Sequence, residues 1–392
     1  MNAAAEQNLI DRVEALGAEC RERAQEIEQQ RNLPVDIAES MSELGLFGLF
    51  APKGYGGAEG NAPLGILLLE TLARHESASA WCAMIGMTSA QTLGFLPEDA
   101  ARTIFARPDT RISGVFAPRG TAVREGDQLC INGHWQWGSG TRNAHWVLAG
   151  VRVLDESGEP EMKQIGDKQI PLFGMAVVPA GGVQWDDNWH SLGLCGTGSS
   201  DFRIQDVRIP AGQLVDILGR RTVDAPLYRF PQMTLLATGI AAVALGIAEG
   251  ALEESIAICQ TKVRMGSSSA QAAKPSVQMA LGEMHARLRA ARTWLYHCLE
   301  DAWATVREPG GRASESQRRD LRLAGNLCTY TAVDATQLAY RQAGGDSVYK
   351  TAGLERRLRD VNVITQHVQM SQQIFEQGGR LLFELPTDTS ML

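Results

Sequence analysis

The chain has 392 residues, 44% hydrophobic and 21% charged, a balance that supports a packed core in two or three layers or domains. Its net charge of -8 argues against nucleic-acid binding, which needs a basic face. The seven cysteines (Cys20, Cys82, Cys130, Cys195, Cys259, Cys298 and Cys328) are scattered, odd in number and free of CxxC pairs, which argues against a disulfide framework or a zinc site.

In chain order, the first 110 residues carry helical spacing. Met1-Asn2-Ala3-Ala4-Ala5-Glu6-Gln7 lacks the cationic start and apolar core of a signal peptide. Leu9, Val13, Leu16 and Cys20 share one face of a first helix. Pro34-Val35-Asp36 opens another, since a first-turn proline loses no helical hydrogen bond. Ile37, Met41 and Leu44 continue it, and the glycines of Gly45-Leu46-Phe47-Gly48 end it. Pro52-Lys53-Gly54-Tyr55-Gly56-Gly57 reads as a loop, and residues 63–74 and 79–92 as buried helices.

The period then shortens. Gln128–Trp135, 146–151, Phe173–Pro179 and Phe202–Pro210 read as short strands separated by turns, which suggests a small antiparallel barrel or sandwich. From residue 225 the pattern is helical again, with runs at 234–259, 277–306, 314–343 and 358–382 and a loop at 307–313. The apolar stretch 235–248 falls short of the ~20 residues a bilayer span needs, so no membrane segment is expected. Helices, then strands, then helices is an order that narrows the architecture.

Short motifs stand along this framework. Leu44-Gly45-Leu46-Phe47 precedes the Pro52–Gly57 loop; Arg264-Met265-Gly266, Ala343-Gly344-Gly345 and Leu354-Glu355-Arg356 with Arg359-Asp360 follow. In this order they resemble the acyl-CoA dehydrogenase superfamily over nearly the whole chain. The resemblance implies a mostly α fold with a central β-domain: an N-terminal helical domain (1–110), a middle β-barrel or sandwich (111–222) and a C-terminal four-helix bundle (223–392). Gly133-His134-Trp135-Gln136-Trp137-Gly138-Ser139-Gly140, with Ala144-His145-Trp146, is similar to a motif of the flavin-dependent monooxygenases built on this fold. So is Gly193-Leu194-Cys195-Gly196-Thr197-Gly198-Ser199. The two-component aromatic hydroxylases resemble it best. Dehydrogenases of the superfamily carry, about eight residues after the Arg of the Arg-Asp pair, a glutamate that abstracts the α-proton. Here His367 and Val368 stand in that region, and the next carboxylate is Glu376.

The resemblance assigns roles. Ser139 would hydrogen-bond the flavin near N5 or O4, and Trp137, on the same strand face, would pack on the ring. Phe116 ends a strand before the loop that contacts flavin. Arg264 would reach the flavin pyrophosphate from a neighbouring subunit, and Gly344 and Gly345 would let the backbone approach the adenosine part. Trp81, Met84 and Met87 would wall an apolar substrate pocket. His367 would be the catalytic residue, either deprotonating a phenol or NH group or stabilising a C4a-hydroperoxyflavin by hydrogen bonding. Structural alternatives exist for all but Ser139 and Phe116: core tryptophans, a helix-end arginine, glycine C-caps, helix core for 81–87, a satisfied core histidine. The other histidines lack metal-ligand spacing, so no metal is expected.

The function so implied is the oxygenase component of a two-component flavin monooxygenase. No GxGxxG follows a strand, so reduced flavin, FAD or alternatively FMN, would come from a separate reductase. O2 and a small aromatic or heteroaromatic substrate complete the reaction. A cytoplasmic homotetramer is implied. Two alternatives compete: an acyl-CoA dehydrogenase whose base has moved to Glu253 or Glu254, and a non-catalytic flavin-binding homologue.

Overall fold

The computed structural model describes residues 3–216, 219, 221–389 and 392. The N-terminal part is helical: α1 (Ala3–Glu22), α2 (Ala24–Gln30), α3 (Val35–Glu43), α4 (Ala62–His75), α5 (Ser77–Gln91) and α6 (Glu98–Ile104). Val13, Leu16 and Cys20 are buried along α1, as the spacing requires. Helices α2 and α6, at seven residues each, are too short to show a period in the sequence. Helix α5 positions everything that follows. Buried along nearly its whole length, it packs against the C-terminal bundle on one side and the sheet on the other. Buried Glu76 starts it, its carboxylate accepting from Ala78 N at 3.1 Å and Ser79 N at 2.6 Å.

The central part holds β1 (Ile112–Glu125), β2 (Gln128–Trp135), β3 (Trp146–Leu154), β4 (Met162–Ile165), β5 (Lys168–Pro171), β6 (Phe173–Pro179), β7 (Gln184–Trp185), β8 (Phe202–Pro210) and β9 (Leu214–Val215). Among the described residues, seven strands form one sheet in the order β7-β8-β2-β1-β3-β6-β9, and β4 and β5 form a separate hairpin. The sheet is mixed rather than antiparallel, because β1 and β3 run parallel. Phe116 does not end a strand. It lies inside β1, at a break in register between Val115 and Gly120 that spans Pro118, which has no N–H to give the ladder. Trp135 is fully buried, stacks on Phe202 with centroids 5.3 Å apart and donates to Gly150 O at 2.8 Å, so it belongs to the core.

The C-terminal part comprises α7 (Pro226–Arg229), α8 (Gln232–Thr261), α9 (Pro275–Arg307), α10 (Glu315–Ala343), α11 (Gly353–Ile364) and α12 (Gln373–Leu382). Helix α8 runs 30 residues and is, by length and composition, apolar enough to cross a membrane, which corrects the reading of 235–248 as too short. Its most apolar stretch is 94% buried among the other helices, as in the core helix of a bundle. The run at 358–382 is not one helix. It breaks between α11 and α12, at the segment that carries His367. Side chains take over the backbone groups there: Asn326 Nδ2 donates to Gln369 O at 3.3 Å, and Tyr330 Oη to Met370 O at 3.0 Å.

The Arg-Asp pair joins the three parts. Buried Asp360 accepts from the Ser77 hydroxyl at the start of α5 and from Leu194 N, before β8, at 2.6 Å. Arg359 pairs with Glu28 at 2.7 Å and donates to Leu192 O at 2.9 Å. Burial raises the Asp360 carboxyl to about 6, against the two hydrogen bonds that pull it down.

Candidate active site

Two loops of the sheet meet α5 and the broken helix. Gly138 N donates to Ser200 O at 3.0 Å and Gly140 N to Thr197 O at 2.9 Å, locking the loops of the two glycine-rich motifs together. Between them runs a chain of side chains: Trp81 Nε1 lies 3.0 Å from Ser139 Oγ, Ser139 Oγ 2.6 Å from Ser199 Oγ, and Ser199 Oγ 2.6 Å from Thr197 Oγ1. Thr197 Oγ1 ends it, 2.7 Å from Leu194 O. An indole N–H only donates and a carbonyl only accepts, so both ends are fixed. Every hydroxyl hydrogen must therefore point from Trp81 towards Leu194. Ser139 keeps one lone pair and no free hydrogen.

His367 sits edge-on to Trp81, ring centroids 5.9 Å apart. Its Nδ1 accepts from Gln369 N at 3.2 Å, so the neutral ring carries its hydrogen on Nε2. Burial, with the Arg322 guanidinium adding to it, pushes the imidazole down to about 4. His367 is thus a neutral N–H donor at pH 7, with little basicity. Of the two roles implied by the sequence, this geometry suits hydrogen bonding better than proton abstraction.

The remaining expected residues divide. Trp137 does not share a strand face with Ser139: β2 ends at Trp135, and Trp137 follows with φ +66, 64% exposed. A left-handed backbone is uncommon for so bulky a residue. It holds the indole at the mouth of an open groove of about 200 Å³ lined also by Gln136, Asn188, Trp189, His190, Ser191 and Asp201. Phe116 is half-buried in the sheet. Met84 and Met87, the expected pocket wall, are both fully buried, and Met84 packs on Gly239 of α8. Of the α5 trio, only Trp81 reaches His367 and Ser139.

Arg264, Gly344 and Gly345 form a second group. Arg264 is exposed after α8; two residues earlier, Lys262 Nζ donates to Ala343 O at 2.7 Å, tying that end of α8 to the glycine pair. Gly344 adopts φ +65 and closes α10 through its N–H to Tyr340 O, so the C-cap alternative holds for it.

Sequence reasoning missed Thr197 and Ser199 as partners of Ser139, although both stand in a quoted motif. It missed buried Arg322, Asn326 and Gln369 altogether. It also missed that His134, Asp186 and Asp201 converge, their ligand atoms within 4.8 Å of one another, because they come from separate strands and loops. Arg203 already pairs with Asp186 at 3.0 Å, so the cluster is balanced by a guanidinium as it stands.

Both carboxylates proposed for a relocated base are engaged. Glu253 pairs with Arg74 at 2.8 Å and Glu254 with Arg357 at 2.9 Å.

Residues 4–96 match the family described as acyl-CoA dehydrogenase, N-terminal domain, and residues 238–372 that described as acyl-CoA dehydrogenase, C-terminal domain; together they span more than half of the chain. The chain belongs to the acyl-CoA dehydrogenase superfamily. Within the superfamily it is similar to monooxygenases. It is 29% identical to an indole-3-acetate monooxygenase of Acinetobacter baumannii, over 98% of this chain and 96% of that protein. It is 24% identical to the oxygenase subunit HsaA, a flavin-dependent monooxygenase of Mycobacterium tuberculosis, over 98% of each. The crystal structure of HsaA superposes with a TM-score of 0.89, covering 99% of this chain and 100% of that one. XiaF from a Streptomyces species, solved with FADH2 and glycerol, superposes with a TM-score of 0.88 at 22% identity, over 100% and 98% of the two chains. The superfamily fold thus extends from the first helix to the last.

Proposed function

We propose that this protein is the oxygenase component of a two-component flavin-dependent monooxygenase, acting on an aromatic or heteroaromatic substrate. One observation carries the reading. Where the superfamily's dehydrogenases keep a carboxylate base, this chain holds a neutral imidazole beside Trp81, and Glu253 and Glu254 are bound in ion pairs. A dehydrogenase needs an ionised base at the substrate; a weakly basic N–H donor does not serve.

The residues fit a flavin. The groove between Trp137 and Trp189 offers flat apolar walls beside polar Gln136, Asn188 and Ser191, which suits a planar heterocycle with a polar edge. Ser139 Oγ can only accept a further hydrogen bond, so it suits a ring N–H. Reduced flavin has one at N5 and oxidised flavin does not. Bound reduced flavin, FAD or FMN, would activate O2 for transfer of one oxygen atom. Trp81 and the hydroxyl chain would hold Ser139 in place, and the His367 Nε2–H would hydrogen-bond an oxygen on that face while the buried surroundings exclude water.

Arg264, Gly344 and Gly345 would meet the outer part of the cofactor, and residues 1–110, 111–222 and 223–392 would be the three domains. Exposed Phe375, Leu382, Phe383 and Leu385 at the C-terminal end support burial against further copies, in keeping with a homotetramer. Seven free thiols, six of them buried, support a reducing cytoplasm.

Mixing the protein anaerobically with reduced flavin, then with O2 and a panel of phenols and indoles, tests the reading. Hydroxylated product is expected, with a separate reductase able to supply the flavin. Bleaching of bound oxidised flavin by an acyl-CoA, without hydroxylation, would assign a dehydrogenase instead.

A further inference from the structure

Arg322 is 5% exposed within the helical core, two turns from the start of α10. Its guanidinium meets only neutral acceptors: one terminal nitrogen donates to Gln369 Oε1 and the other to Gln369 O at 3.1 Å. Among the described residues no carboxylate lies within ion-pair distance of it, and its Nε has no partner. The Asn326 amide, one turn on, donates to the same Gln369 carbonyl at 3.3 Å, and its buried Oδ1 is also without a partner. Burying a charge without a counter-charge is costly, and native interiors pair such groups. Of the arginines in this chain that are as deeply buried, Arg357 illustrates the rule: it pairs with Glu254 at 2.9 Å.

The unpaired charge stands next to the candidate centre. Gln369, clamped by Arg322 through both its side chain and its carbonyl, gives its own N–H to His367 Nδ1. Gln369 Nε2 in turn reaches Met233 at the start of α8. One residue thus connects the guanidinium, the imidazole facing Trp81 and the α8 wall.

We propose that Arg322 is a specificity residue that takes the carboxylate of an aromatic acid, so that the substrate supplies the missing counter-charge. This rests on the monooxygenase reading and names its substrate class. A guanidinium whose Nε has no partner and whose terminal nitrogens are turned to neutral groups can donate to a carboxylate oxygen along that edge. Asn326 Oδ1 would receive a donor only from a water that arrives with the acid, since the carboxylate itself has no hydrogen to give. A neutral aromatic would leave the charge uncompensated and bind more weakly. Because Gln369 carries both contacts, filling the Arg322 edge also fixes the donor that orients His367.

The test is direct binding without turnover, by calorimetry under anaerobic conditions with reduced flavin present, comparing indole-3-acetate with its neutral primary amide. The wild-type protein is expected to bind the acid at least 10-fold more tightly than the amide, and the acid alone to raise the melting temperature. R322Q should erase the preference while its affinity for reduced flavin is unchanged; R322K, which keeps the charge, should retain a preference. Equal affinity of the wild type for acid and amide overturns the proposal, and this comparison needs no variant to fold. So does a preference that survives in R322Q, or an R322Q protein that loses reduced flavin but keeps the acid-to-amide ratio, since the flavin would then be the anion. Hydroxylation of neutral indoles with no acid preference would sink this inference alone. Tight acid binding without any oxygenation would sink the functional reading alone.

Discussion

The indole N–H of Trp81 donates to Ser139 Oγ at 3.0 Å at one end of the hydroxyl chain, and Thr197 Oγ1 donates to Leu194 O at 2.7 Å at the other, which sets the direction of the hydrogens between them. Leu194 N in turn donates to Asp360. A helix of the N-terminal part, two loops of the sheet and a helix of the bundle are therefore tied through a single run of hydrogen bonds. Networks of this kind are rigid when every member is satisfied, and costly when one is removed.

The orientation of Ser139 makes its contribution depend on redox state. Ser139→Ala is expected to weaken reduced flavin by about tenfold, the value of roughly one good hydrogen bond, and to leave oxidised flavin nearly unchanged. Equilibrium titration of both forms checks this. Equal losses for the two forms would show that the hydroxyl does not read the ring N–H.

His367 should matter as a donor. His367→Ala is expected to lower the hydroxylation rate roughly 100-fold, in the range seen when a preorganised donor to a developing charge is removed. His367→Gln keeps an N–H near the same place and should recover part of the loss. Single-turnover kinetics from reduced enzyme reads the effect; a Gln variant no better than Ala would point to proton abstraction instead.

The titration of His367 gives a second handle. With the folded imidazole at about 4, below its ordinary value, the unfolded chain binds more protons between pH 4 and 6.5, so this group makes stability rise with pH across that window. Asp360, raised to about 6, acts with the opposite sign over nearly the same range. The wild type should therefore be nearly flat with respect to this pair. Relative to His367→Gln, it should gain stability as pH rises from about 4 to 6.5 and then level off. Denaturation of both proteins at several pH values measures the difference, and a constant difference would mean that His367 titrates normally.

Asp360→Ala removes the acceptor shared by the Ser77 hydroxyl and Leu194 N. Two buried donors left without a partner are expected to cost about 3 kcal/mol. Thermal denaturation checks this, and flavin affinity should fall with it, because the Leu194 loop carries the end of the hydroxyl chain. Unchanged stability would show that the Arg-Asp pair is not a joint between the parts.

Much of this was legible in the chain. The burial of Val13, Leu16 and Cys20 follows from spacing, and β2, β6 and β8 coincide with the runs that read as strands, of which only that of β8 alternates. The parallel pairing of β1 with β3 was not legible, because alternation reports which face is buried and not which strand lies alongside. Nor was the break at His367: neither Pro nor Gly marks it, and Tyr330 and Asn326, some forty residues away, hold it open. At the site, Ser139 and His367 came from motif position, but what each can donate depends on partners that only folding brings near. Trp137 shows the converse. Its type suggested a strand residue, whereas its backbone turns left-handed and presents the ring to solvent.

The most direct measurement is isotopic. Protein loaded with reduced flavin is exposed to 18O2 in the presence of an aromatic acid, and the product is analysed by mass spectrometry. The expected result is one 18O atom in the hydroxylated product, with product strongly reduced in His367→Ala. Product lacking the label, or reduction of bound oxidised flavin by a thioester substrate with no oxygen transferred, would contradict the assignment of an imidazole-lined oxygenase site.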